Sequence, residues 1–205
     1  SSDVCSSDLK DNDMIEENKE FDSVLRSQAN WRELWFYQKS VVLSRLTNVF
    51  VRRFMPAYGS RTVDQMVQAA RSGKQNIVEG SADGVSSVDM EIKLLNTARG
   101  SIQELREDYE DYLGFNGLSL WTQGHSRYDA MLEYCRSHNK LEDYSPYFEK
   151  WSDEEMANVA ITLSHMVDKM MTSYRERIEK EFLAEGGIKE RMTRARINYR
   201  NKHAR

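Results

Sequence analysis

Apolar residues recur along this chain at intervals of three and four, the spacing that places them on one side of an α-helix. The first such window runs from about Trp31 to Met55, with Leu34, Trp35, Val41, Val42, Leu46, Val49, Phe50 and Phe54 on its stripe and Pro56 and Gly59 predicted to stop it. A second helix is predicted from near Thr62, because Thr62 and Gln65 have the spacing of a capping box, in which each side chain satisfies a free N–H at the helix start. Its stripe is Val63, Met66, Val67, Ala70 and Ile77, and Gly80 stands where a left-handed C-terminal residue is expected. A short loop, Ser81 to Val85, leads to Ser86 and Asp89, a second predicted N-cap pair. In the third helix Leu95, Ala98, Ile102, Leu105, Tyr109 and Tyr112 alternate spacings of three and four, the seam of a bundle, while Asp108, Glu110 and Asp111 keep the other face wet and Gly114 ends the helix.

The pattern loosens over residues 115–151. Ser126 to Ser137 has the spacing of a short helix with Tyr128, Met131, Leu132 and Cys135 inward. Tyr144, Tyr147, Phe148 and Trp151 cluster around Pro146, and two readings stand: a cap packed over the helices, which is favoured because aromatic rings bury large areas, and a platform for stacked bases. Ser152 and Glu155 then form a third capping pair, and a fourth long helix carries Val159, Leu163, Met166, Val167, Met170, Tyr174, Ile178 and Phe182 until Gly186-Gly187 stops it. Beyond the stop, Ile188, Met192, Ala195 and Tyr199 recur at four, three and four with arginines between, which predicts an amphipathic helix. The expected fold class is therefore all-α: an antiparallel up-down four-helix bundle over residues 31–185, a partly structured insertion at 115–151, and a basic helical tail at 186–205. Residues 10–30 are polar and acidic and are expected to form a flexible lead-in.

Composition supports helices. Two prolines and ten glycines leave few breakers in 205 residues. No apolar run reaches the roughly 18 residues of a membrane span, and no basic-then-apolar leader opens the chain, so neither a membrane segment nor a secretory signal is expected. Ser1 to Leu9 reads as one frame of a sequencing adapter and is expected to be an assembly artefact. With Cys5 set aside, Cys135 alone supports no disulfide framework, and a reducing, cytoplasmic location is expected.

Charge divides the chain. Residues 186–205 carry a net of +6, whereas residues 10–185 carry −8. A basic tail on an acidic body has three readings: a solvated helical face; contact with an RNA or DNA backbone through Lys189, Arg191, Arg194, Arg196, Arg200 and Lys202; or docking to a protein, including the acidic body of a neighbouring subunit.

Catalytic chemistry finds no foothold. There is no phosphate loop, nucleotide fingerprint or nucleophile elbow, and His125, His138, His165 and His203 form no metal-ligand pair, so no metal, no cofactor and no enzyme activity are expected. His165 is expected to be a satisfied core or interface residue. Glu79 and Arg99 are expected to pair structurally across the second loop, Asn76 to tie a helix end to the loop backbone, and Gly100 and Ser101 to permit close helix contact.

Two segments carry a resemblance. Asn76, Ile77, Glu79 and Gly80 close one helix, and Ala98, Gly100, Ser101 and Glu104 follow on the next; in order and interval they resemble the four-helix-bundle proteins encoded in intervening sequences of 23S ribosomal RNA genes. Ala157-Asn158, the helix around His165, the run Phe182 to Gly187, and Glu190-Arg191 resemble a subgroup known as four-helix-bundle suffix proteins. The resemblance spans about Trp31 to Leu113 and Asp153 to Arg200. It implies a bacterial homo-oligomer, a pentamer above all, without catalytic residues. It also implies kinship with the accessory variability determinant of diversity-generating retroelements, which works with a reverse transcriptase and binds nucleic acid. Two functions follow as expectations: a nucleic-acid-associated accessory factor, or a protein-binding scaffold.

Overall fold

The computed structural model describes residues 24–26, 30–55 and 61–203. Among them the secondary structure is entirely helical: α1 (Trp35–Phe54), α2 (Arg61–Asp83), α3 (Val88–Phe115), α4 (Tyr128–Ser137), α5 (Leu141–Tyr144), α6 (Asp153–Glu185) and α7 (Ile188–His203), with single 3-10 turns at Trp31–Glu33 and Ser145–Tyr147. The expected lead-in before residue 24, the adapter-like Ser1 to Leu9, and the stop at Pro56 and Gly59 lie outside the described residues.

The four long helices each pack on two others: α2 on α1 and α3, and α6 on α1 and α3. Contacts between α3 and α6 run in opposite chain order, from Glu91 with Tyr174, through Arg99 with Asp168, to Tyr112 with Asp153. Val42, Leu43, Leu46, Phe50, Met66, Ile77, Leu95, Ile102, Leu105, Tyr109, Leu163 and Val167 fill the space between them. Tyr109 donates from its hydroxyl to Thr47 Oγ1 at 3.0 Å, so a phenol at the centre of the core keeps a partner.

Several boundaries differ from the sequence expectation. Trp31–Glu33 is a separate 3-10 turn, and Trp35 faces outward while Phe36 is buried. Arg61 is already helical, so Thr62 is an exposed residue of the first turn and not a cap. Gly80 is a buried, helical residue of α2, which continues to Asp83; it is not a left-handed terminus. The cap of α3 is Ser87, whose Oγ accepts from Met90 N–H at 3.2 Å, one residue beyond the expected Ser86. Gly114 lies inside α3, and Gly117 takes the left-handed conformation at φ 65°. Ser152 and Glu155 form the reciprocal capping box at the start of α6, and Gly186, at φ 78°, ends that helix.

Segment 116–152 roofs one flank. Lys39 of α1 is fully buried and its Nζ donates to the carbonyls of Cys135 and, at 2.7 Å, His138, which holds the end of α4 against α1. Asn158 of α6 accepts from Trp121 N–H at 2.7 Å and donates to Ser119 O at 2.9 Å, fixing the other end of the segment. Tyr144 and Phe148 are buried and Trp151 half-buried, while Tyr147 stacks on Trp151 at 5.4 Å. The aromatic cluster is thus a packed cap, with Tyr147 as its exposed edge.

Candidate functional site

Residues singled out on α2 and α3 fall into two groups. Asn76 donates to Ser72 O at 2.9 Å and to Ser72 Oγ at 3.1 Å, and Ser101 donates to the same Oγ at 3.0 Å. Asn76 and Ser101 therefore meet through Ser72, in mid-helix; Asn76 ties no helix end to a loop. Gly80 admits close approach: a Cβ there would lie 3.3 Å from Leu94 Cβ and 3.5 Å from Glu91 O. Glu79, in contrast, is exposed, and Arg99 reaches across to α6, where its Nε meets Asp168 Oδ1 at 2.7 Å. The expected Glu79–Arg99 pair does not form, because the two side chains leave their helices on different sides. Gly100 also departs from expectation: a Cβ there would touch nothing within 4 Å among the described residues.

The glycine that sequence reasoning missed is Gly73, where a Cβ would stand 2.7 Å from Ile102 Cδ1. A signal existed. Met66, Ala70, Gly73, Ile77 and Gly80 recur at four, three, four and three, so Gly73 belongs to the stripe facing α3.

A second missed cluster joins α3, α6 and the segment at residue 26. Arg26 Nη1 donates to Glu91 Oε2 at 2.7 Å, while its Nε and Nη2 form a fork on Glu181 at 3.0 and 3.1 Å. Tyr174 donates to the second Glu91 oxygen at 3.0 Å. Burial, then the Glu91 charge, push the Tyr174 hydroxyl up to about 12. The hydrogen bond from Arg26 holds Glu181 below the usual carboxylate range. A Cβ on Gly84 would collide with the Glu91 carboxylate, so this loop residue must be small. Both carboxylates of the cluster, Glu91 and Glu181, are paired, and the contacts join three separate parts of the chain.

Among the α-helices of the described residues, the basic helix α7 is the one without a buried residue. Met192 and Tyr199 of its expected apolar stripe are about half exposed or more. Arg191 is committed to Glu185 and to Glu181 at 3.5 Å, and Arg194 donates to Glu185 O at 2.8 Å, so these two cations root α7 to the end of α6. Lys189, Arg196, Arg200 and Lys202 are exposed, and Tyr199 stacks on His203 at 4.0 Å. His165 is likewise exposed, its Nδ1 3.3 Å from Arg106 Nη1; of the two expected places, core or interface, this rules out the core.

The outer side of the α2–α3 pair holds a groove of about 680 Å³, whose charged lining among the described residues is Asp64, Glu104, Glu107, Asp108, Asp111 and Arg61. Burial, followed by the charges of Asp111, Glu104 and Glu107, raises the Asp108 carboxyl above its ordinary value. Among the described residues no group of three or more His, Cys, Asp or Glu side chains is arranged to hold a metal ion, and no helix is long and apolar enough to cross a membrane. The chain matches no protein-family model, no curated protein and no solved structure.

Proposed function

We propose that this chain is a non-enzymatic, nucleic-acid-associated accessory protein. In this reading its four long helices form an antiparallel up-down bundle, several copies of which assemble, with a pentamer favoured by the resemblance at Asn76 to Gly80 and Ala98 to Glu104. The observation that carries it is α7: six Lys or Arg against Glu190 alone, a net of +5 over sixteen residues, with no residue buried. An exposed cationic helix gives sequence-tolerant, salt-sensitive contact with phosphates. A reverse transcriptase or another protein bound at the same time would supply any chemistry.

The test is fluorescence anisotropy of the full chain with a structured RNA and a duplex DNA. Binding should weaken by orders of magnitude between about 50 and 200 mM salt if six contacts form. Replacing Lys189, Arg196 and Arg200 together by glutamine should lower the slope of log affinity on log salt by roughly three. Unchanged binding in that variant would remove α7 from the mechanism. A second reading, a protein-binding scaffold with no nucleic-acid contact, draws on the acidic α2–α3 groove, which repels phosphate; absence of binding at low salt would favour it.

A further inference from the structure

The acidic groove and the basic helix have matched periodicities. On α3, Glu104, Glu107, Asp108 and Asp111 recur at three, one and three and lie on one side of the helix. On α7, Lys189, Thr193, Arg196 and Arg200 recur at four, three and four, again on one side. Glu104 and Asp111 are seven residues apart, as are Lys189 and Arg196, and at a helical rise of about 1.5 Å each pair spans about 10 Å. Among the described residues neither surface packs against another element. The carboxylates face a groove in which Arg61 is the one cation among the described residues, and Asp108 is already raised by burial and by its neighbours. Lys189, Arg196 and Arg200 share one side of α7 and lie outside the pair, Arg191 and Arg194, that roots it.

A chain cannot satisfy this match by itself. Gly186, Gly187 and Ile188 surround a small cavity with Val85 and Val88, so α7 starts beside the N-terminal end of α3. Lys189 to Arg200 lie within about 18 Å of that root along α7, whereas Glu104 to Asp111 lie about 24 to 35 Å from Val88 along α3. Arg191 and Arg194 root α7 on Glu185, and among the described residues α7 has no substantial packing against α2 or α3.

We infer that the α2–α3 groove of one copy receives the cationic side of α7 from a second copy, so that Lys189, Arg196 and Arg200 lie along Glu104, Glu107, Asp108 and Asp111. This rests on the reading that copies assemble, and it gives that assembly a specific contact. It also makes the contact a competitor for nucleic acid, because the same three cations serve both. Opposite charge fixes register and speeds encounter more than it adds affinity, so the contact is salt-labile.

The test uses full-length chains in a Cys5→Ser background, with Cys135 buried. One copy carries Thr193→Cys on α7, and a second copy, with a different tag, carries Gln68→Cys in the groove; neither substitution removes a charge. Under mild oxidation the mixed disulfide should form at low salt, about five-fold or more above a control pairing Thr193→Cys with Ala82→Cys, an exposed α2 position outside the groove. It should fall toward the control level in about 0.5 M salt and when Glu107 and Asp111 are both changed to lysine. Sedimentation of the same samples separates the failures. Copies that associate without the mixed disulfide would overturn the groove contact and leave assembly standing. Chains that remain monomeric at every salt concentration would overturn both. A mixed disulfide indifferent to salt and to the two lysines would overturn the electrostatic seating.

Discussion

The α1–α6 flank and the α2–α3 flank are built from similar amphipathic helices, yet among the described residues one is roofed and the other bare. On α6, every residue from Met156 to Ser164 is buried, polar Asn158, Thr162 and Ser164 included. On α2, the buried residues are Met66, Ala69, Ala70, Gly73, Ile77, Gly80 and Ser81, which share one side of the helix. A helix packed on one side buries every third or fourth residue. A helix buried all round must be covered on its outer side too, and segment 116–152 supplies that cover through Trp121, Met131 and Phe148. The bare flank keeps carboxylates where the roofed one has aromatic rings, which leaves α2–α3 as the surface open to a partner.

The largest expected effect tests the roof. Tyr144 is fully buried and donates to His138 O at 3.0 Å, so Tyr144→Ala removes a ring and one of the two donors to that carbonyl, leaving Lys39 Nζ as the other. It should cost about 3 to 5 kcal/mol in chemical denaturation. A loss below about 1 kcal/mol would show that the segment lies on the flank without stabilising it.

Alkaline titration probes both flanks. Burial pushes the Cys135 thiol from 9.0 up to about 11 and, aided by Asp153 and Glu91 respectively, the Tyr112 and Tyr174 hydroxyls from 10.0 up to about 12. Raised groups contribute stability that is complete below their unfolded values and lost as pH climbs through the folded ones. Lys39, lowered by burial, acts in the opposite direction, since the unfolded chain holds its proton longer. The melting temperature should hold to about pH 8 and fall between about pH 9 and 12. Cys135→Ala should remove the earliest part of that fall, and an unaltered profile would break the assignment.

Two glycines on the bare pair should respond with opposite sign. Gly80→Val adds atoms against Leu94 and the α3 backbone and should destabilise by about 1 to 3 kcal/mol. Gly100→Ala meets open space within the chain and should stabilise the isolated chain by up to about 1 kcal/mol, the difference in helix propensity. If Gly100→Ala instead lowers stability or the assembled mass, a second copy approaches α3 at that point. The smallest effect is expected in the groove: Asp111→Asn should leave the midpoint within about 0.5 kcal/mol, because it relieves repulsion among exposed carboxylates and removes no packing.

Legibility followed the same division. The seam Leu95, Ala98, Ile102, Leu105 and Tyr109, the Ser152–Glu155 box and the stop at Gly186 were readable because each depends on a few neighbouring residues. The helical nature of 188–203 was readable for the same reason. Gly80 was misread, since a helical glycine and a left-handed terminal one are the same letter, and only the nearness of Leu94 distinguishes them. Arg99 was paired with the wrong carboxylate because Asp168 is 69 residues away in sequence.

The sequence by itself determined the periodic burial of four long helices, where the main polar breaks fall, and the opposition of a basic tail to an acidic body. Those properties are local or additive: turn chemistry, spacing and charge need no knowledge of what lies opposite. The tertiary structure alone decided that Lys39 is a buried cap on α4, that Gly73 makes room for Ile102, and that Arg26 joins Glu91 to Glu181. Each is a contact between distant segments, and each exists only because packing brings a charge or a missing Cβ to the one place where its partner stands.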